Sequence, residues 1–386
     1  MGDATAARLD EGLAELDRSD LRRERRTLDS PQGPRVTIAG RTLANFSSND
    51  YLGLANHPRL RQAAHRALDA WGVGAGASPL VSGHSRVHAQ AEESFAAFVG
   101  LPRALLFGSG YAANLGILAT LGGRDAEIFS DALNHACLID GARLSRAQVV
   151  RYAHADAGEL EARLAASRAA VRIIATDAVF SMDGDFAPVP RLLELCERHD
   201  AWLVLDDAHG VGVAGANGRG TLEHFGVRSP RLVYMATLGK ALGGYGAFVA
   251  GEAPVIEWLL QRARTYVYST ALPPLLAAVA CEAIDLLSDG ALAAALAARI
   301  AHFRAACARE GVALSGSTTA IQPIVAGGAA RAVELSRSLA ARGHLVPAIR
   351  PPTVPAGTSR LRVSLSAAHA GDEIDGLARS LSVVLR

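Results

Sequence analysis

"RLVYMATLGKALGGYGAFVAG", residues 231–251, is an apolar run, a lysine set among glycines, and a second apolar run. Both runs are too continuously apolar to be one-sided, which is how strands covered on both faces read. Lys240 stands between them with Gly239, Gly243, Gly244 and Gly246 around it, in a chain that otherwise prefers arginine. Burial or a nearby cation can turn a lysine amine into a nucleophile for carbonyls, whereas arginine stays protonated. On the residues alone, a solvated lysine and a reactive one stand about level.

Upstream, "RALLF", "AEIFS", "AQVVRY", "VRIIATD" and "WLVLDD" are further apolar runs, separated by helical patterns that start at "NHPRLRQAAHRALDAWG". This alternation predicts an α/β layer structure with a mostly parallel central sheet. Residues 1–45 read as an N-terminal arm, an amphipathic helix followed by the arginine-rich link "LRRERRTLDSPQGPR". Residues 46–275 form the predicted large domain. Residues 276–386 form a smaller α+β domain, with "IQPIVAG", "HLVPAIR" and "RLRVSLS" as its extended runs.

The 386 residues are half apolar, enough for a sizeable core. The 39 basic and 38 acidic side chains nearly cancel without a long run of one sign, so no nucleic-acid partner is expected. Four dispersed cysteines, Cys137, Cys196, Cys281 and Cys307, suit neither a zinc cluster nor a disulfide framework, and no metal is expected. The N-terminal residues lack the basic start and apolar core of a signal peptide. Glu282 and Asp285 break "LPPLLAAVACEAIDLL" short of a membrane span. The expectation is a soluble, unprocessed cytoplasmic protein without a membrane partner.

Open parallel sheets place their sites at the carboxyl ends of the strands. After "RALLF" comes "GSGYAANLGIL", where Gly108 and Gly110 allow a tight turn and the amides of a new helix face any anion placed there. After "AEIFS" comes His135, and after "VRIIA" come Asp177, Ser181 and Asp183. "WLVLDDAHG" ends on Asp206 and Asp207 with His209 beyond. A carboxylate there needs a cation or donor, and spacing leaves open a ring-nitrogen partner, a helix cap, a surface pair or a metal half-site.

Taken in order, "SSNDYLGL", "VSGHSRVH", "GSGYAAN", "NHACLIDG", "VFSMDGD", "DDAHGVG", "TLGKALGGYG", "YVYSTALPP" and "RPPTVPAGTSRLRVSLSAAH" resemble the pyridoxal 5'-phosphate (PLP) enzymes of the aminotransferase-like fold type I, and within them the α-oxoamine synthases. The resemblance implies that Lys240 holds PLP as a Schiff base and later acts as general base, and that Asp206 pairs with the pyridinium nitrogen. It implies that His209 and Ser181 address the phenolic oxygen and that His135 stacks on the ring. Gly110, Tyr111 and Thr237 would hold the phosphate, and Ser269 and Thr270 would reach the phosphate of the other subunit in a homodimer with shared active sites. The glycines beside Lys240 would leave room for cofactor and thioester. Arg350 would bind the amino-acid carboxylate, with Thr353 and Arg22 lining the substrate site.

Within that family, "RPPTVPAGTSRLR" is most similar to the member that joins L-alanine to a pimeloyl thioester, carried by CoA or by acyl carrier protein, with loss of carbon dioxide, in biotin biosynthesis. A sibling synthase that uses glycine with another acyl-CoA, or an aminotransferase, is the alternative. Ser78, Pro79, Leu80 and His84 depart from the family pattern and bear on donor specificity. Asp177 stands where related synthases often have Glu, and it is left out of the expected site.

Overall fold

The computed structural model describes residues 4–386; the first three residues of the expected arm lie outside it. The chain opens with helix α1 (Ala4–Arg18) and a hairpin of β1 (Arg35–Ile38) and β2 (Arg41–Asn45). Its turn is Ala39–Gly40, both at positive φ, the backbone that a two-residue hairpin turn demands. The hairpin follows the arginine-rich link, in the last residues of the expected arm, where no strand is expected.

Helices α2 (Pro58–Trp71) and α3 (Arg86–Val99) lead into seven strands. These are β3 (Arg103–Phe107), β4 (Ala126–Asp131), β5 (Gln148–Tyr152), β6 (Val171–Asp177), β7 (Ala201–Asp206), β8 (Leu232–Thr237) and β9 (Ala247–Gly251). They are the seven predicted runs, and they form one sheet in the order β3-β9-β8-β7-β6-β4-β5. From β8 to β5 every pairing is parallel; β9 runs antiparallel to both its neighbours. Leu105, Ile128, Ile173, Val204, Val233 and Val249 join one buried cluster with Ile117 and Leu118 of α4 (Gly110–Leu121) and Leu138 of α5 (Ala136–Leu144). Apolar side chains on both faces explain why these strands read as continuous runs rather than alternating ones.

The register sets the site. Asp177 of β6 lies opposite Asp206 of β7, and Asp206 lies opposite Met235 of β8. The carboxyl ends of three neighbouring strands thus stand level, and the polar residues after them emerge along one edge.

The chain groups into two compact units. The larger comprises Asn49–Ser181 and Asp185–Leu296; the smaller comprises residues up to Ser48, Met182–Gly184 and Ala297–Arg386. This grouping differs from the expected boundaries at 45 and 275. Helix Pro274–Leu287 packs on α2 and α3, which carries the larger unit to Leu296. The N-terminal hairpin belongs with the C-terminal residues because β2 pairs in parallel with β11 (His344–Leu345).

In the smaller unit β13 (Ser359–Ser364) lies between β10 (Ile321–Gly327) and β12 (Ala348–Ile349), antiparallel to both. The run "HLVPAIR" is therefore not one strand. Pro347, which has no N–H to give a ladder, divides it into β11 and β12, and these join different sheets. Helix Ala291–Arg309 is long and apolar enough by composition to cross a membrane. Its Leu296, Ile300, Phe303 and Cys307 are buried, at the spacing of a helix that faces a protein core.

Candidate active site

Lys240 is the only lysine among the 386 residues. Its loop is closed by hydrogen bonds from Leu238 N to Gly246 O and from Gly244 N to Leu238 O, both 2.9 Å. Gly243 has φ +65°, and a Cβ there would overlap the backbone of Leu54 and Ala55. Gly246 has φ +112°, with a Cβ placed 3.1 Å from Phe107 O. Left-handed backbone and close approach account for these two glycines, so packing rather than substrate room requires them.

The amine is oriented by a chain of side chains. Lys240 Nζ lies 2.8 Å from His209 Nε2, and His209 Nδ1 lies 2.7 Å from Tyr51 Oη. Tyr51, fully buried, donates its hydroxyl proton to Asn49 Oδ1 at 3.1 Å. The Tyr51 oxygen therefore receives a proton from His209 Nδ1, and Nε2 accepts from the lysine, which assigns the tautomer. Tyr51→Phe removes a buried hydroxyl that is bonded to both His209 and Asn49. It is expected to lower unfolding stability by about 1–3 kcal/mol. Urea unfolding measures this, and a change within experimental error would refute the assigned chain.

One strand away, Asp206 is 4% exposed. Its Oδ2 accepts from Asn114 Nδ2 at 2.7 Å and its Oδ1 from Ala208 N at 2.9 Å; Cys137 Sγ is 3.8 Å from Oδ2. Asp207 faces elsewhere. Its Oδ2 accepts from Tyr234 Oη at 2.6 Å and Thr221 N at 2.7 Å, and burial pushes its pKa up to about 7. Asp206, Asp207 and His209 thus do not converge on one point, and no group of metal-ligand type is found among the described residues.

Asp177, which was set aside on the sequence, sits at this centre. Its Oδ2 accepts from His135 N at 2.7 Å, and its own N–H reaches Asn134 Oδ1 at 3.2 Å. Burial first, and the charge of Asp206 second, hold it well above the usual carboxylate range. His135 caps α5, and its Nδ1 lies 2.9 Å from Cys137 Sγ. Desolvation lowers its pKa against the opposing pull of Asp206.

Gly110 opens α4, where Ser109 Oγ accepts from Ala112 N at 3.1 Å. The first amides of the helix have no intrahelical acceptor and favour an anion. Thr237 stands beside this turn: a Cβ on Gly110 would be 3.8 Å from Thr237 Cβ, and the Thr237 hydroxyl donates to Gly246 O at 3.0 Å. Tyr111 is exposed, with its hydroxyl on the Asp140 carboxylate. Ser181 is half-buried in the loop after β6, and Ser269 and Thr270 are exposed beyond Tyr266. Asp183 belongs to the smaller unit and pairs with Arg360 at 2.5 Å.

Arg22, Arg350 and Thr353 come together in the smaller unit. A cavity of about 600 Å³ there is lined by Arg22, Arg23, Arg26, Arg337 and Arg350, among others. Arg350 donates to the carbonyls of Asp20 and Arg22, and Arg23 Nη2 is 3.4 Å from Thr353 Oγ1.

The larger unit thus combines an oriented amine, a buried carboxylate one strand away and a helix N-terminus, a set able to hold a flat, cationic, phosphorylated carbonyl compound. Asn114, Tyr51, Cys137 and Asp177 are the members that the sequence reading missed. Asn114 and Tyr51 lie inside the quoted motifs "GSGYAAN" and "SSNDYLGL", which was the available signal.

Residues 41–381 match the aminotransferase class I and II family. The 8-amino-7-oxononanoate synthase of Methylococcus capsulatus is 54% identical over 372 residues, covering 96% of both chains. The chain belongs to the class I and II aminotransferase family and, within it, to the 8-amino-7-oxononanoate synthases. The family's enzyme from a Janthinobacterium species is 52% identical over 382 residues, 97% of each chain. Among solved structures, the serine palmitoyltransferase of S. paucimobilis, described with a bound PLP–myriocin aldimine, superposes with a TM-score of 0.92 at 27% identity, covering 98% of this chain and 97% of that one. The 8-amino-7-oxononanoate synthase of Francisella tularensis gives 0.77 at 31% identity, over 89% and 98% of the two chains. These family members share the fold type I architecture that the resemblance implies, with the mostly parallel sheet expected from the strand runs.

Proposed function

We propose that the protein is a PLP-dependent acyltransferase that condenses L-alanine with a pimeloyl thioester. The products are 8-amino-7-oxononanoate, carbon dioxide and the free thiol of CoA or of an acyl carrier protein, in biotin biosynthesis. The observation that carries this reading is the 54% identity over 96% of the chain to a synthase of that name.

The residues fit the cofactor by their chemistry. Asp206 offers a buried anion for a protonated ring nitrogen, Lys240 an amine for the aldehyde, and the amides of Gly110 and Tyr111 with the Thr237 hydroxyl a cradle for the phosphate. When bound, PLP supplies an electron sink that lets the α-carbon of the amino acid carry negative charge. Asn114 and Cys137 fix the carboxylate of Asp206. His135 presents its ring to the cofactor face, and His209 and Ser181 serve its phenolic oxygen. Lys240 Nζ takes the proton from the α-carbon of alanine and returns one to the product, with His209 Nε2 holding it in position. The Arg350 guanidinium, whose two terminal nitrogens donate to the carbonyls of Asp20 and Arg22, would turn that fork to the substrate carboxylate, with Arg22 and Thr353 lining the substrate site.

Ser269 and Thr270 would serve the phosphate of a second subunit in a homodimer. A cytoplasmic location suits four cysteines that form no disulfide.

Turnover of L-alanine with pimeloyl-CoA, with release of carbon dioxide and CoA in equal amounts, tests the reading beside glycine with acetyl-CoA or succinyl-CoA. Activity with glycine alone would overturn it in favour of a sibling synthase.

A further inference from the structure

His154 lies in none of the groups assigned above, yet each of its ring nitrogens faces a carboxylate. Nδ1 is 3.1 Å from Asp131 Oδ1 and Nε2 is 2.8 Å from Asp185 Oδ2. Carboxylates on both sides require a proton on both nitrogens, so the ring is an imidazolium. In agreement, the hydrogen bonds to Asp131 and Asp185 push its pKa up to about 10.

The two carboxylates belong to different loops at the carboxyl edge of the sheet. Asp131 ends β4, and its side chain, 1% exposed, also accepts from Leu133 N and Ala155 N, each at 2.8 Å. It therefore anchors the start of the loop that carries Asn134 and His135. Asn134 fastens the far side of that loop through Nδ2 to Ala175 O at 2.7 Å. Asp185 lies in the loop after β6, where its carbonyl accepts from Phe180 N at 3.0 Å and Val179 bridges to Phe186. The His154 ring stands edge-on to Phe180 at 4.3 Å and 90°. Phe180 is the immediate neighbour of Ser181.

We propose that His154 is a positioning residue of the cofactor site, bridging Asp131 and Asp185 so as to set the spacing between the loop that carries His135 and the loop that carries Ser181. This rests on the assignment of those two residues to PLP. A charged bridge to two carboxylates is stronger than neutral hydrogen bonds and orients both loops at once.

The test uses the full-length holoenzyme and the variants His154→Gln, Asp185→Asn and the double replacement. It reads the dissociation constant of PLP, the visible circular dichroism of bound PLP and the unfolding midpoint of the PLP-free chain. His154→Gln, which removes the charge from both hydrogen bonds of the bridge, is expected to weaken PLP binding about tenfold and to diminish the dichroism. Asp185→Asn should act in the same direction and less strongly. The double variant should match His154→Gln within about twofold, since both act through one bridge. If PLP affinity and dichroism stay at the wild-type level in both single variants, with only the unfolding midpoint lowered, His154 is a structural brace and the proposal fails. Should His154→Gln not fold, Asp185→Asn decides by the same criterion, because it leaves the His154–Asp131 pair in place. A wild-type chain that binds no PLP would instead overturn the cofactor reading itself.

Discussion

Lys240→Ala is expected to reduce turnover by at least roughly 10⁴-fold, the upper range of what a positioned acid–base group contributes, to which the loss of the covalent anchor is added. No other lysine exists in the chain to substitute for it. The side chain is only half-buried and the turn is held by backbone bonds and by Gly243 and Gly246, so unfolding stability should change by no more than about 1 kcal/mol. Steady-state kinetics and urea unfolding on the same preparation separate the two effects. Residual activity within tenfold of wild type would show that the amine is not the reacting group.

Asp206→Asn is expected to lower kcat by about 10²–10³-fold, the loss associated with one preorganised electrostatic partner. It should also weaken folding by roughly 1–3 kcal/mol, because the carboxylate accepts at both oxygens and either orientation of an amide sets its NH₂ against Asn114 Nδ2 or Ala208 N. Asp207→Asn forms the contrast. Asp207 spends its carboxylate on Tyr234 and Thr221, away from the groups around Lys240, and kcat should stay within about threefold of wild type. Equal kinetic losses in the two variants would contradict the separation of their roles.

The difference between these neighbours marks how far the sequence can be read. Collecting the polar residues after apolar runs found Lys240, Asp206, His209 and His135, because in a parallel sheet the strand ends are both the ends of the runs and the edge of the site. The same logic could not rank Asp206 above Asp207: which of two adjacent side chains faces the helix α4 depends on the strand's rotation in the sheet. Nor could it value Asp177, whose place is fixed by its register opposite Asp206. Asn114 reads as one polar residue in an apolar helix, and only the seating of α4 against β7 gives its amide a partner.

The misread segments share one physical cause. The pairing of β2 with β11 joins Ala44 to His344, and nothing local signals so distant a contact. Strands of four and two residues carry too little periodicity to be recognised. The glycines of the lysine turn were legible as a turn, but the reason for them, the backbone of Leu54 and the carbonyl of Phe107, lies in other parts of the chain.

Borohydride reduction of the PLP-loaded protein, followed by intact mass and peptide mapping, tests the central claim most directly. With a single lysine in the chain, the account predicts one pyridoxyl adduct, located on Lys240. An unmodified Lys240, or an adduct confined to an N-terminal amine, would contradict it.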